Sequence, residues 1–243
     1  MKASRRELLV STAIGVAGVA VGQPARAKEP AGSPAQKRAK EKDDDDDDEE
    51  GVSPAEDLMR EHGVLRRILL IYTDAMHRLW AKKDLPPQPL ADAAEIVRSF
   101  VEDYHEKLEE EYLFPRFKKA NQQVTLVDVL LAQHQAGRAL TDTASRLATA
   151  QALKSDADRK TLSHSLYLFI RMYSPHAARE DTVLFPAFRK IVSEHEYDSL
   201  GEDFERREHQ RFGADGFEKM VDRVAQIEKS LGIYDLAQFT PRT

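Results

Sequence analysis

"HEKLEEEYLFPRFKK", residues 105–119, and "HAAREDTVLFPAFRK", residues 176–190, are the same sentence written twice. Both read His-x-x-x-Glu-x-x-x-Leu-Phe-Pro-x-Phe, and their histidines stand 71 residues apart. One predicted helix upstream of each lies another histidine, His62 and His134, 72 residues apart and each followed four positions later by arginine (Arg66, Arg138). The chain is therefore built from two similar halves. Two such halves packed together have a pseudo-two-fold axis along their core, and whatever lies on that axis meets the same side chains twice.

The phase of the repeated residues gives that axis its chemistry. His62 lies four residues after Leu58 and three before Leu65, His105 four after Val101 and three before Leu108. His134 follows Leu130 and Leu131, and His176 lies four after Met172. Residues three and four apart share a helix face, so all four histidines fall on buried stripes. Glu109 and Glu180 sit one turn beyond His105 and His176 and are rotated by only about 40°. A bare carboxylate in an apolar core is costly unless something holds its charge. Two carboxylates ringed by four imidazoles are economically explained by metal. Nitrogen and carboxylate donors without sulfur suit iron or manganese, and suit zinc less well in a carboxylate-bridged pair.

The surrounding pattern is all-α. Ser53-Pro54-Ala55-Glu56 offers a cap and an N1 proline to a first helix that ends near Lys83. Apolar spacing predicts further helices over about Leu90–Lys119, Thr125–Leu153, Asp156–Val192 and Tyr197–Leu231. Short links between long amphipathic helices predict an antiparallel up-down four-helix bundle, with one additional C-terminal helix. Pro175 is expected to kink or restart the fourth helix. Gly137, three residues after His134, leaves a gap on the third, which suits either a small ligand or close helix packing.

At this point the chain resembles the hemerythrin-like, or HHE cation-binding, domain, through His62, His105-x-x-x-Glu109, His134 and His176-x-x-x-Glu180. The resemblance covers about residues 54–192. It implies a four-helix bundle around a non-haem di-iron centre, with His62 and His105 on one iron, His134 and His176 on the other, and Glu109 and Glu180 bridging. Two departures stand out. The respiratory pigments of the family carry a second histidine four residues after that of the third helix, where this chain has Arg138. They also end in His-x-x-x-x-Asp, where this chain has His-x-x-x-Glu. One imidazole fewer argues against plain oxygen carriage and towards redox chemistry on peroxide, with O₂ and NO as further ligands. The resemblance leaves iron or oxygen sensing, or iron storage, as the alternative. Glu106 is a candidate for the missing donor, as an acid at that position is in some relatives. His209 with Glu205 reads as a surface pair, and His77, His164 and His195 fall off the shared phase. A ferritin-like site, with Glu-x-x-His on two helices, fits at Glu102-x-x-His105 but fails in the second half, where Tyr173 replaces the glutamate.

The rest of the chain bounds this reading. It has 243 residues and no cysteine, which excludes thiolate metal sites and disulfides, and its formal net charge of −6 argues against the basic face a nucleic-acid grip needs. Residues 1–27 carry a basic start, a short apolar run and Ala25-Arg26-Ala27, the marks of a cleavable signal that leaves no stable membrane span. Ser4-Arg5-Arg6-Glu7-Leu8-Leu9 resembles the twin-arginine export signal, which implies a periplasmic or other extracytoplasmic protein exported already folded. Residues 28–52, with Asp43–Asp48, read as a disordered acidic linker. Residues 53–232 form the helical domain and 233–243 a tail.

Overall fold

The computed structural model describes residues 52–241. The export signal and the acidic linker, Val52 apart, lie outside the described residues. Every regular element among the described residues is helical, and none of these helices is long and apolar enough to cross a membrane.

Helix α1 runs from Pro54 to Trp80, and its start follows from its first residues: Ser53 Oγ accepts from the Glu56 backbone N–H, and Pro54 needs no donor at the first position. Helix α2 is a continuous helical rod over residues 87–119. Helix α3 spans Val124–Leu147, ending earlier than its apolar pattern suggested, with a separate 3₁₀ turn at Ala152–Lys154. Helix α4 covers residues 156–188 behind a Ser155 cap. Along their buried faces α1 packs on α4, α4 on α3, α3 on α2 and α2 on α1, so the contacts close a ring of four helices. Its interior is filled by side chains such as Leu58, Ile68, Tyr72, Phe100, Phe169 and Tyr173, all essentially inaccessible to solvent.

Three expectations need correction. The single C-terminal helix is two, α5 (Glu194–Phe212) and α6 (Gly216–Leu231), both resting on the outside of α1. The chain turns at Gly213, with φ of 76°, and Asp215, with φ of 59°. Gly213 takes that conformation without the Cβ penalty other residues meet. Pro175 neither breaks nor restarts α4, which continues through it to Arg179. It faces solvent, where water can satisfy the Arg171 carbonyl that its missing N–H leaves open. The third correction is that α2 and α4 are not uniformly α-helical. Wide π-type turns occupy Val97–His105 and Glu109–Leu113 in α2, and Glu180–Leu184 in α4. In the last two, the N–H of Phe114 donates to the Glu109 carbonyl and that of Phe185 to the Glu180 carbonyl, five residues back. Pro115 and Pro186 follow immediately. A proline ring crowds the carbonyl four residues behind it and supplies no N–H, so the turn ahead of it widens. The repeated Leu-Phe-Pro therefore marks the same backbone device in both halves.

Candidate metal centre

The ring of helices brings all six repeated residues together. His62, His105, Glu109, His134, His176 and Glu180 are each at most 4% exposed. Their inward atoms converge. His62 Nε2 lies 3.4 Å and His176 Nε2 3.1 Å from Glu180 Oε2, while His134 Nε2 lies 3.4 Å and His105 Nε2 3.8 Å from Glu109. Two donor groups result, His62–His105–Glu109 and Glu109–His134–His176–Glu180, each with ligand atoms within 4.8 Å of one another, and Glu109 belongs to both.

The outward ring nitrogens are all tethered. His62 Nδ1 meets Asp181 Oδ1 at 2.7 Å and His105 Nδ1 meets Glu61 Oε2 at 2.7 Å. His134 Nδ1 meets Glu110 Oε1 at 3.1 Å and His176 Nδ1 meets Gln133 Oε1 at 2.8 Å. Each acceptor fixes the Nδ1–H tautomer and turns the Nε2 lone pair inward, the usual arrangement around a metal-ligating histidine. Arginines clamp two of the acceptors: Arg66 bonds Asp181, and Arg138 bonds Glu110 at 2.6 Å. Phe185 stacks on His62 and Phe114 on His134, both with centroids 5.5 Å apart, closing the two sides with apolar surface.

A cation fits this donor set on direct observation. Both oxygens of Glu109, both of Glu180 and His134 Nε2 are buried without a formed hydrogen bond. Native interiors rarely leave such groups orphaned. His62 Nε2 and His105 Nε2 are 3.1 Å apart while both Nδ1 atoms face carboxylates, so two lone pairs oppose each other unless positive charge lies between them. Without metal, protons fill that role. Burial lowers the His62 pKa, but the hydrogen bond to Asp181 and the negative charge of Glu180 outweigh it and raise the group to about 9. Burial, and then the charge of Glu180, push Glu109 well above the ordinary carboxylate range. Glu180 moves the other way, because His176 and His62 overcome the effect of its burial. Burial takes His134 down to about 4.

Glu106 is buried on the Nδ1 side of His134, 3.9 Å from that nitrogen. One carboxylate oxygen accepts from Tyr173 Oη at 2.6 Å and the other from Arg138 at 2.7 Å. Tyr173 also fills the gap opened by Gly137: a Cβ at residue 137 would lie 2.0 Å from its hydroxyl oxygen. Glu205 and His209 are exposed on α5. The outer partners Glu61, Glu110, Gln133 and Asp181 went unread in the sequence. Each adjoins a nominated ligand, and their matched places in the two halves were the available signal.

Burial pushes Glu106 up to about 8, and the sign of its effect on stability follows. A carboxyl whose folded pKa is raised contributes stability that is complete below its unfolded value, near 4.5, and is lost as pH rises through 8. Urea unfolding of metal-free protein at pH 5 and pH 8.5 is expected to show Glu106→Gln losing less stability across that interval than wild type, by roughly 2–4 kcal/mol. Equal losses would remove Glu106 from the titrating set.

Comparison with known proteins follows the same lines. Residues 53–188 match the family model described as hemerythrin HHE cation binding domain, and residues 125–240 match it again. The second match begins 72 residues after the first, the offset that separates His62 from His134. Uncharacterized proteins from two strains of Mycobacterium tuberculosis and from Mycobacterium bovis are each 52% identical over 190 residues, 78% of this chain and 74% of the relative. No solved structure matches the chain.

Proposed function

This chain belongs to the hemerythrin HHE cation-binding domain family, and on that premise we propose that it is a di-iron protein acting on O₂, peroxide or NO. His62 and His105 would hold one iron, His134 and His176 the other, with Glu109 and Glu180 shared between them. The helix ring would then be the antiparallel up-down bundle of the family, extended by α5 and α6. The observation that carries the reading is the set of buried carboxylate oxygens left unbonded among four imidazoles whose Nδ1 atoms are held outward.

Iron, when bound, supplies a change of oxidation state and a position for a small oxygen or nitrogen species. The protein's own contribution is orientation and dryness. Asp181, Glu61, Glu110 and Gln133 fix the imidazole planes, while Phe114 and Phe185 keep water from the rings. Tyr173 Oη holds its proton against Glu106 Oε1, beside the His134–His176 side. The donor set, one imidazole short of the respiratory pigments, favours peroxide consumption over carriage. The twin-arginine-like signal supports an exported protein that folds and loads metal before export.

Metal analysis after aerobic purification tests the proposal, with about two irons per chain expected. One zinc per chain, or no metal, overturns it. The complete burial of the donors supports a second reading, iron sensing or storage without catalysis. Rapid peroxide loss with the iron-loaded protein, abolished in Glu180→Ala, decides for the enzyme; absence of peroxide loss at full iron occupancy decides for the sensor or store.

A further inference from the structure

We propose that the two metal positions are unequal by construction, with Glu61 and Gln133 as the positioning residues that set the difference. The His62–His105 position is the electron-rich, tightly held one, and the His134–His176 position is the labile one. This rests on the reading that the six side chains hold a metal pair.

The two halves agree in their chemistry at nearly every place around the centre. His62 pairs with His134, His105 with His176, Glu109 with Glu180, Arg66 with Arg138, Asp181 with Glu110, and Phe185 with Phe114. The outer hydrogen bonds obey the same symmetry. The residue after each central glutamate holds the Nδ1 atom of the other half's first histidine (Glu110 that of His134, Asp181 that of His62), and the residue before each first histidine holds the Nδ1 atom of the second histidine of its own half. At the last of these places the symmetry fails in charge though not in geometry. His105 is held by a carboxylate, Glu61, at 2.7 Å, and His176 by an amide, Gln133, at 2.8 Å.

That difference has a direct effect on the donor atoms. A hydrogen bond to an ionised acceptor is roughly twice as strong as one to a neutral acceptor. A carboxylate on Nδ1–H raises the basicity of the ring, and therefore the electron density that Nε2 gives a metal. His105 is the stronger donor, so its position retains metal longer and favours the higher oxidation state. The neutral Gln133 leaves His176 a weaker donor. Its side of the centre differs in packing as well. Gly137 stands where the first half has Leu65, and the Tyr173 hydroxyl in that space bonds Glu106, whose counterpart is Ala177. Arg138 meanwhile bonds both acids nearest His134, Glu106 and Glu110.

The test is release of iron from the fully loaded protein to an excess of a ferrous chelator under reducing conditions, with Mössbauer spectra of the same samples enriched in ⁵⁷Fe. Wild type is expected to release iron in two phases of equal amplitude and to give two distinct doublets. Gln133→Glu should slow the fast phase by about 10- to 100-fold, merging it with the slow one and drawing the doublets together. Glu61→Gln should speed the slow phase by a similar factor. Both substitutions are isosteric, and a purely structural role would shift the melting temperature without moving one doublet selectively. A single release phase in wild type, or an effect of Gln133→Glu on the slow phase, overturns the proposal while two irons per chain keep the underlying reading intact. Failure to load two irons defeats that underlying reading instead.

Discussion

Glu109→Gln is expected to make the metal-free protein more stable and the metal-loaded protein less so. Glu109 is wholly buried, both its oxygens lack a hydrogen bond, and burial with the charge of Glu180 raises its pKa strongly. Without metal the folded protein must protonate that carboxyl at a pH where the unfolded chain leaves it ionised, and glutamine, which needs no proton, relieves a cost of about 1–3 kcal/mol. With metal the sign is expected to reverse, because Glu109 is common to both candidate donor groups. On the di-iron reading proposed above, the variant should retain at most one iron per chain, and the rise in melting temperature on loading should shrink to a small fraction of the wild-type rise. Melting curves with and without iron, on wild type and variant, provide the check. A variant less stable than wild type without metal would mean that Glu109 has a partner in the empty protein, and the charge argument would fail.

Gly137→Ala is expected to destabilise the fold by about 1–3 kcal/mol, against the direction of helix propensity. In an open helix the change would gain up to about 1 kcal/mol. Here the new Cβ would lie 2.0 Å from Tyr173 Oη and 2.7 Å from its Cζ, so the ring must leave its seat. Tyr173→Phe removes the oxygen but keeps the carbon clash, whereas Tyr173→Leu clears both. A double-mutant cycle should therefore give a large coupling energy with Leu and a smaller one with Phe. Additive effects in both cycles, by chemical denaturation, would show that Tyr173 yields freely.

The inward residues were legible because the sequence states them twice. Phase against Leu58, Val101 and Leu130 is enough to turn His62, His105 and His134 inward. The outer partners were not legible by the same route. Neighbouring residues on a helix lie about 100° apart, so Glu61 belongs to a different stripe from His62 and serves His105 on another helix. A search along one stripe passes over it, whereas comparing the two halves residue by residue finds it. The split between α5 and α6 was written in Gly213-Ala214-Asp215-Gly216, but the apolar spacing on either side was regular enough to read through it. Pro175 misled in the opposite sense: its exposed setting leaves the Arg171 carbonyl open to water, and the helix continues through it. Two of the three wide turns had a cause in sequence, Pro115 and Pro186, but the step from proline to an altered turn depends on packing that no periodicity records.

Those wide turns give each long helix a vernier. By taking up one residue between the glutamate and the Leu-Phe-Pro segment, they let the face that carries the candidate donors and the face that carries Phe114, Phe117, Phe185 and Phe188 keep separate angular settings. Phe114 and Phe185 can then stack on His134 and His62 while Glu109 and Glu180 keep their own inward setting.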